Sequence, residues 1–203
     1  MKTSALVFAA LLSLSPLAHA ELSSLPATNI PGAELVTRLK QGGLVLYFRH
    51  TATDFGQNDE QMTNYGDCAH QRNLTESGRM EAKAIGQAIR KLHISIASVI
   101  ASPFCRTLET ARLAFGKATA SLDARGGPAD GDRYAGLRRV LSTAPAAGGN
   151  VVVVSHGNPF YGIAGPPHLA EGEAAIILPM GDKGFAIIAR VRGAEWEILQ
   201  LRP

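Results

Sequence analysis

Of 203 residues, 20 are Lys or Arg and 17 are Asp or Glu. The resulting formal charge of +3 excludes the basic excess that marks a nucleic-acid or membrane-surface protein and is compatible with anionic small molecules. With 46% apolar residues the chain can fill a core, and its length falls within the range of one domain.

The first twenty residues read as a targeting segment. Met1-Lys2-Thr3 precedes a mostly apolar run from Ala5 to Leu17 and then Ala18-His19-Ala20, the A-x-A form of a secretory cleavage site. The run is shorter than the ~20 residues a spanning helix needs, and Pro16 weakens it further. Residues 1–20 are therefore expected to be a removed signal peptide. Residues 21–203 would then form a single exported domain, periplasmic or secreted, with no membrane span. Glu21 rather than cysteine follows the cut, so no lipid anchor is expected, and loss of Lys2 lowers the formal charge to +2.

Residues 21–31 are rich in Ser, Pro and Asn and suit a surface lead-in. Leu35, Val36 and Leu39 give 32–40 helical spacing, ended by Gly42-Gly43. Leu44 to Phe48 reads as a buried strand that ends in Arg49-His50. A long polar stretch follows to Asn73, and a stretch of that length without periodicity is usually functional or mobile. Thr75 suits the N-cap of an amphipathic helix to about Leu92. The spacing then predicts a strand over 94–101, and a helix from Pro103 to about Phe115 with Ser102 as its cap.

Ala118 to Leu122 suits a short third strand. Residues 123–132 form a turn-rich connection and 133–142 a helix. Val151 to Val154, the most β-branched run, is expected as a central strand ending in Ser155-His156-Gly157. A short helix over 158–164 is followed by strand candidates at 174–178, 185–191 and 196–201, with short links that suit antiparallel pairing. The alternation predicts an α/β fold: a three-layer α/β/α sandwich around a mostly parallel mixed sheet with an antiparallel edge.

Cys68 and Cys105 both fall in the exported part, where a single disulfide is the default and two buried free thiols the alternative. Neither begins a C-x5-R phosphatase motif, since Leu74 and Ala111 occupy the required positions.

Three strand ends carry unusual residues: Arg49-His50, Ser102 to Arg106, and Ser155-His156-Gly157. If these strands are parallel neighbours, two arginines and two histidines meet on one side of the sheet, where α/β folds bind ligands. Taken singly, each has a plainer reading, as a surface ion pair, a helix cap or a satisfied histidine. Arg106 adds a conflict, because a cation in the first turn of a helix is not favoured by the helix dipole.

These blocks also resemble a known family. Arg49-His50, the run Ser102-Pro103-Phe104-Cys105-Arg106-Thr107-Leu108-Glu109-Thr110-Ala111, and Val154-Ser155-His156-Gly157 are together similar to the histidine phosphatase superfamily, in its phosphoglycerate-mutase-like branch. The resemblance extends from about residue 43 to 191. It implies a phosphomonoester hydrolase without metal or cofactor, in which His50 attacks phosphorus while Arg49, Arg106 and His156 hold the phosphoryl oxygens. The substrate could be a phosphorylated small molecule, a sugar phosphate or a phosphoprotein. A disulfide between Cys68 and Cys105 would tie the loop after His50 over the pocket and fix the helix of Arg106.

Two departures accompany the resemblance. Thr51-Ala52 replaces the glycine and acid often found after Arg-His, and no glutamate lies around Leu122-Asp123-Ala124-Arg125. Glu173 is the expected proton donor, with Glu171 and Asp54 as alternatives. Two rival readings remain. A non-catalytic phosphate-ligand binding protein would keep the same clamp. A metal hydrolase using His50, His156, Asp54 and His70 would have to hold a cation beside arginines.

Overall fold

The computed structural model describes residues 30–128, 131–146 and 148–201. The expected signal peptide lies outside the described residues.

Among the described residues, six strands form one sheet in the order β3-β2-β4-β1-β5-β6. They are β1 (Val45–Arg49), β2 (Ile96–Ala101), β3 (Thr119–Ala120), β4 (Asn150–Ser155), β5 (Ala174–Pro179) and β6 (Phe185–Val191). The first four are parallel, and β5 and β6 run antiparallel at one side. The helices are α1 (Gly32–Gln41), α2 (Glu76–Lys91), α3 (Cys105–Phe115), α4 (Ala135–Ser142) and α5 (Gly157–Ala164).

Alternation along β1 builds the three layers. Leu46 and Phe48 pack with Leu35, Leu39, Ile85, Ile89 and Ala111 of α1, α2 and α3. Val45 and Tyr47 face the other way, toward Leu137, Leu141, Phe160 and Ile163 of α4 and α5. Side chains that point alternately to opposite faces thus let one strand serve both cores. The valines of β4 divide likewise, Val152 and Val154 to one side and Val153 to the other.

The fold agrees with the sequence reading apart from shifts of one or two residues at the ends of elements such as β2 and β3 and three further points. Residues 196–201 are not a strand but belong to a 3₁₀ helix, Gly193–Leu201. Trp196 and Leu199 are buried while Ile198 and Leu201 are exposed. That is a three-residue period, and the Trp196 ring stacks on Phe48 at 5.8 Å. At α3, Phe104 rather than Ser102 is the N-cap, and no side chain caps it. The helix of 133–142 starts two residues late, at Ala135.

Thr75 does cap α2, its Oγ1 accepting from the N–H of Gly78 at 3.0 Å. Gly78 is required there, because a Cβ would lie 2.1 Å from the Ala52 carbonyl oxygen. The start of α2 therefore packs directly on the chain leaving β1.

Candidate active site

Parallel neighbours bring the three motifs together. Arg49 pairs with Ser155 across β1 and β4, and Ala101 with Val154 across β2 and β4. The residues that follow, His50, His156 and Ser102, consequently lie side by side at one sheet edge. The His50 and His156 rings are 5.5 Å apart.

His50 is only 1% exposed. Its Nδ1 lies 2.9 Å from the Thr51 carbonyl oxygen. A carbonyl can only accept, so Nδ1 carries the proton and Nε2 keeps its lone pair. Burial, opposed by that hydrogen bond and assisted by Arg106, Arg49 and Arg72, lowers the pKa of His50 to about 3. Burial, with Arg106 and then His50 adding to it, also holds His156 well below its ordinary value. The Nε2 of His156 is 2.8 Å from Ser102 Oγ, and its Nδ1 has no partner among the described residues. Ser102 thus serves the neighbouring imidazole rather than the helix.

Thr51 stands where a glycine is common in the resembling family. It is fully buried, its N–H donates to Thr110 Oγ1 at 3.3 Å, and the two hydroxyl oxygens are 3.2 Å apart. The larger side chain joins the His50 turn to α3.

A cavity of about 280 Å³ opens over these groups, lined by Arg49, His50, Arg72, Phe104, Arg106, Arg125, Arg133, Tyr134, His156, Gly157, Asn158, Pro159 and His168. Four of the expected residues, His50, Arg49, Arg106 and His156, therefore share one cavity, and Glu173 does not line it. Both Glu173 oxygens bond Arg190, at 2.8 and 3.0 Å, and Oε2 also accepts from the Ala170 N–H. In this geometry Glu173 braces the loop before β5 instead of offering a proton to the cavity. Asp54 is exposed and bonds the Gly56 N–H.

Glu171 lies closer to the imidazole. Its Oε1 accepts from Thr53 Oγ1 at 2.7 Å and from Arg49 Nη2 at 3.4 Å, and lies 3.9 Å from His50 Nδ1. It flanks the protonated side of the ring. Arg49 is anchored further by donating to the Leu169 carbonyl at 2.8 Å.

The sequence reading missed Asp59, Arg72 and Arg125. Asp59 receives both Arg106 Nη atoms, at 2.9 and 3.0 Å, and the Arg72 N–H at 2.9 Å. Burial works against the charge on Asp59, but the Arg106 and Arg72 bonds hold its pKa below the ordinary carboxylate value. The Nε atoms of Arg49, Arg72, Arg106 and Arg125 are buried without an acceptor on the described residues, and all four side chains line the cavity. Buried donors seldom stay unpaired, so an anion with several acceptor oxygens suits this cluster. A Cys68–Cys105 disulfide joins the long loop to the first residue of α3. Among the described residues, no group of three or more His, Cys, Asp or Glu is placed to hold a metal ion.

The family model described as histidine phosphatase superfamily (branch 1) matches residues 45–127. Over that span, less than half of its length, the chain is similar to the histidine phosphatase superfamily. Solved structures with a similar fold include the protein histidine phosphatase SixA complexed with tungstate. It has 16% identity and a TM-score of 0.52, and the match covers 75% of this chain and 98% of that one. YhfR of Bacillus stearothermophilus is similar at 16% identity and a TM-score of 0.50, over 72% of this chain and 95% of that one. At these identities the likeness is one of fold. A comparison with curated proteins finds no match. This similarity to the histidine phosphatase superfamily supports a phosphatase.

Proposed function

We propose that this protein is an exported phosphomonoester hydrolase that works through a phosphohistidine on His50. The observation that carries this reading is a buried, neutral imidazole with its Nδ1 proton fixed on Thr51, beside a cavity whose charged lining is arginine. In the first step the Nε2 lone pair attacks phosphorus and the P–O bond to the leaving group breaks. Arg49, Arg72 and Arg106 offset the negative charge on the phosphoryl oxygens, and the Nδ1 of His156 supplies a further hydrogen bond. The ring gains positive charge, and Glu171 on its Nδ1 side stabilises it. In the second step water attacks phosphorus, the P–N bond breaks, and His50 returns to the neutral form as phosphate leaves.

Among the described residues, no Asp or Glu lines the cavity, which bears on the leaving group. Without a carboxylic acid to protonate the departing oxygen, hydrolysis depends on how well that oxygen carries charge. Across aryl phosphates, kcat/KM is expected to rise steeply as the leaving-group pKa falls. A flat dependence would instead require a general acid in the cavity, and Glu171→Gln and Glu173→Gln would then locate it.

The decisive test uses labelled phosphomonoester with wild type and His50→Ala. Wild-type protein denatured in alkali, which spares phosphoramidates, should carry label on His50, and the variant should neither label nor turn over. Tight binding without label in the wild type would favour a phosphate-ligand binding protein, and turnover by the variant would remove His50 as nucleophile. Export is tested separately, by locating the mature protein and reading its N-terminus.

A further inference from the structure

The cavity holds more cationic groups than one phosphoryl group can engage. Arg49, Arg72 and Arg106 are the arginines whose charge acts on His50, and carboxylates already sit behind two of them, Glu171 behind Arg49 and Asp59 behind Arg106. Arg125 and Arg133 come from a different part of the chain, the connection between β3 and α4. Neither has a carboxylate partner among the described residues.

Arg125 is placed by aromatic rings. Its guanidinium lies 5.7 Å from the Tyr65 ring and 5.8 Å from the Phe104 ring. Among the described residues, the one hydrogen bond of its side chain is to the Gly126 carbonyl at 3.3 Å, and its Nε is buried without an acceptor. Stacking fixes the plane of a guanidinium and leaves its edge donors free. Arg133 lies 5.7 Å from the Tyr134 ring at the exposed rim of the same cavity. Phe104 is shared by the two sets of cations, for its ring also lies 4.4 Å from the Arg106 guanidinium. A ligand reaching from Arg106 to Arg125 therefore spans no more than about 10 Å, since the two guanidiniums lie 4.4 and 5.8 Å from one ring.

We propose that Arg125 and Arg133 form a second anion site, so that the substrate is a small phosphomonoester carrying a further carboxylate or phosphate group. The volume of about 280 Å³ lies near the lower end of the ~300–1,000 Å³ of small-molecule sites. This inference rests on the phosphatase reading for the first group and adds the identity of the second.

Binding tests it without relying on turnover. By calorimetry, 3-phosphonopropionate and propane-1,3-bisphosphonate should bind the wild-type protein about ten-fold more tightly than propylphosphonate, one charge-assisted contact being worth roughly that factor. The order of the two doubly charged ligands tells whether the second group is a carboxylate or a phosphate. Arg125→Gln and Arg133→Gln should bring the ratio toward one, and Arg125→Lys should restore part of it. Equal binding of all three ligands by the wild type would overturn the second site, as would a ratio that both Gln variants leave unchanged. A preference for doubly charged ligands in a protein that hydrolyses no phosphomonoester would uphold the anion pair and overturn the substrate assignment, which separates failure of the phosphatase reading from failure of this one.

Discussion

At His50, burial and three arginines disfavour the imidazolium together, with a single hydrogen bond to Thr51 opposing them. With a pKa of about 3, this imidazole stays neutral through mildly acidic solution. Once the substrate's own ionisation near ~6 is allowed for, kcat/KM should show no acid limb from His50 between pH 7 and about 5, and protonation should cut it only nearer pH 3. A pH–rate profile that falls with an apparent pKa near 6.5 would contradict this environment. Asp59 invites a second test. It holds both Nη atoms of Arg106, so Asp59→Ala should release that guanidinium and lower kcat/KM by about ten-fold. Asp59→Asn, which keeps an acceptor, should lower it less. Equal activity in both variants and the wild type would show that Arg106 is held in place without Asp59. His50, Arg49 and His156 were legible from sequence because each lies within two residues of a strand end. Asp59 and Arg125 were not, because both sit in aperiodic connections whose direction is set by contacts distant in sequence.

Among the elements, α3 gathers the most obligations. Its first residue, Cys105, is bonded to Cys68, its second is Arg106, and Thr110 one turn later meets Thr51 beside His50. Helix dipole energetics alone would not place an arginine in a first turn; the bidentate Asp59 contact and burial against Phe104 override the preference. Cys68→Ser/Cys105→Ser protein should lose about 4 kcal/mol of stability on the chain-entropy account. It should also lose activity, because the loop bearing Asp59 and Arg72 is no longer tied to the helix it serves. Full turnover by the reduced protein would separate the disulfide from catalysis. The same element explains a sequence misreading. Ser102-Pro103 has the form of a helix start, but the hydroxyl was claimed by an imidazole from β4, a partner 54 residues away that no local pattern announces. The final 3₁₀ helix was misread for a related reason: Trp196 and Leu199 satisfy a three-residue period only once Phe48 provides the surface they cover.

For the whole molecule, two histidines buried in the neutral form tie folding to pH. In the unfolded chain both titrate near 6.5, and in the folded protein both lie lower. The unfolded state therefore binds more protons below pH 6.5. Stability is fully present above that value and is lost as pH falls toward 3, by up to about 1.4 kcal/mol per pH unit for each histidine. Melting temperature should decline from pH 6.5 downward, and more gently in His50→Gln; a wild-type curve level to pH 4 would contradict two neutral buried imidazoles. The covalent link between Cys68 and Cys105 carries a consequence for where such a catalyst can work. With that bond reduced, the loop bearing Asp59 and Arg72 loses its tie to α3, and the hold on Arg106 should slacken wherever thiols are kept reduced.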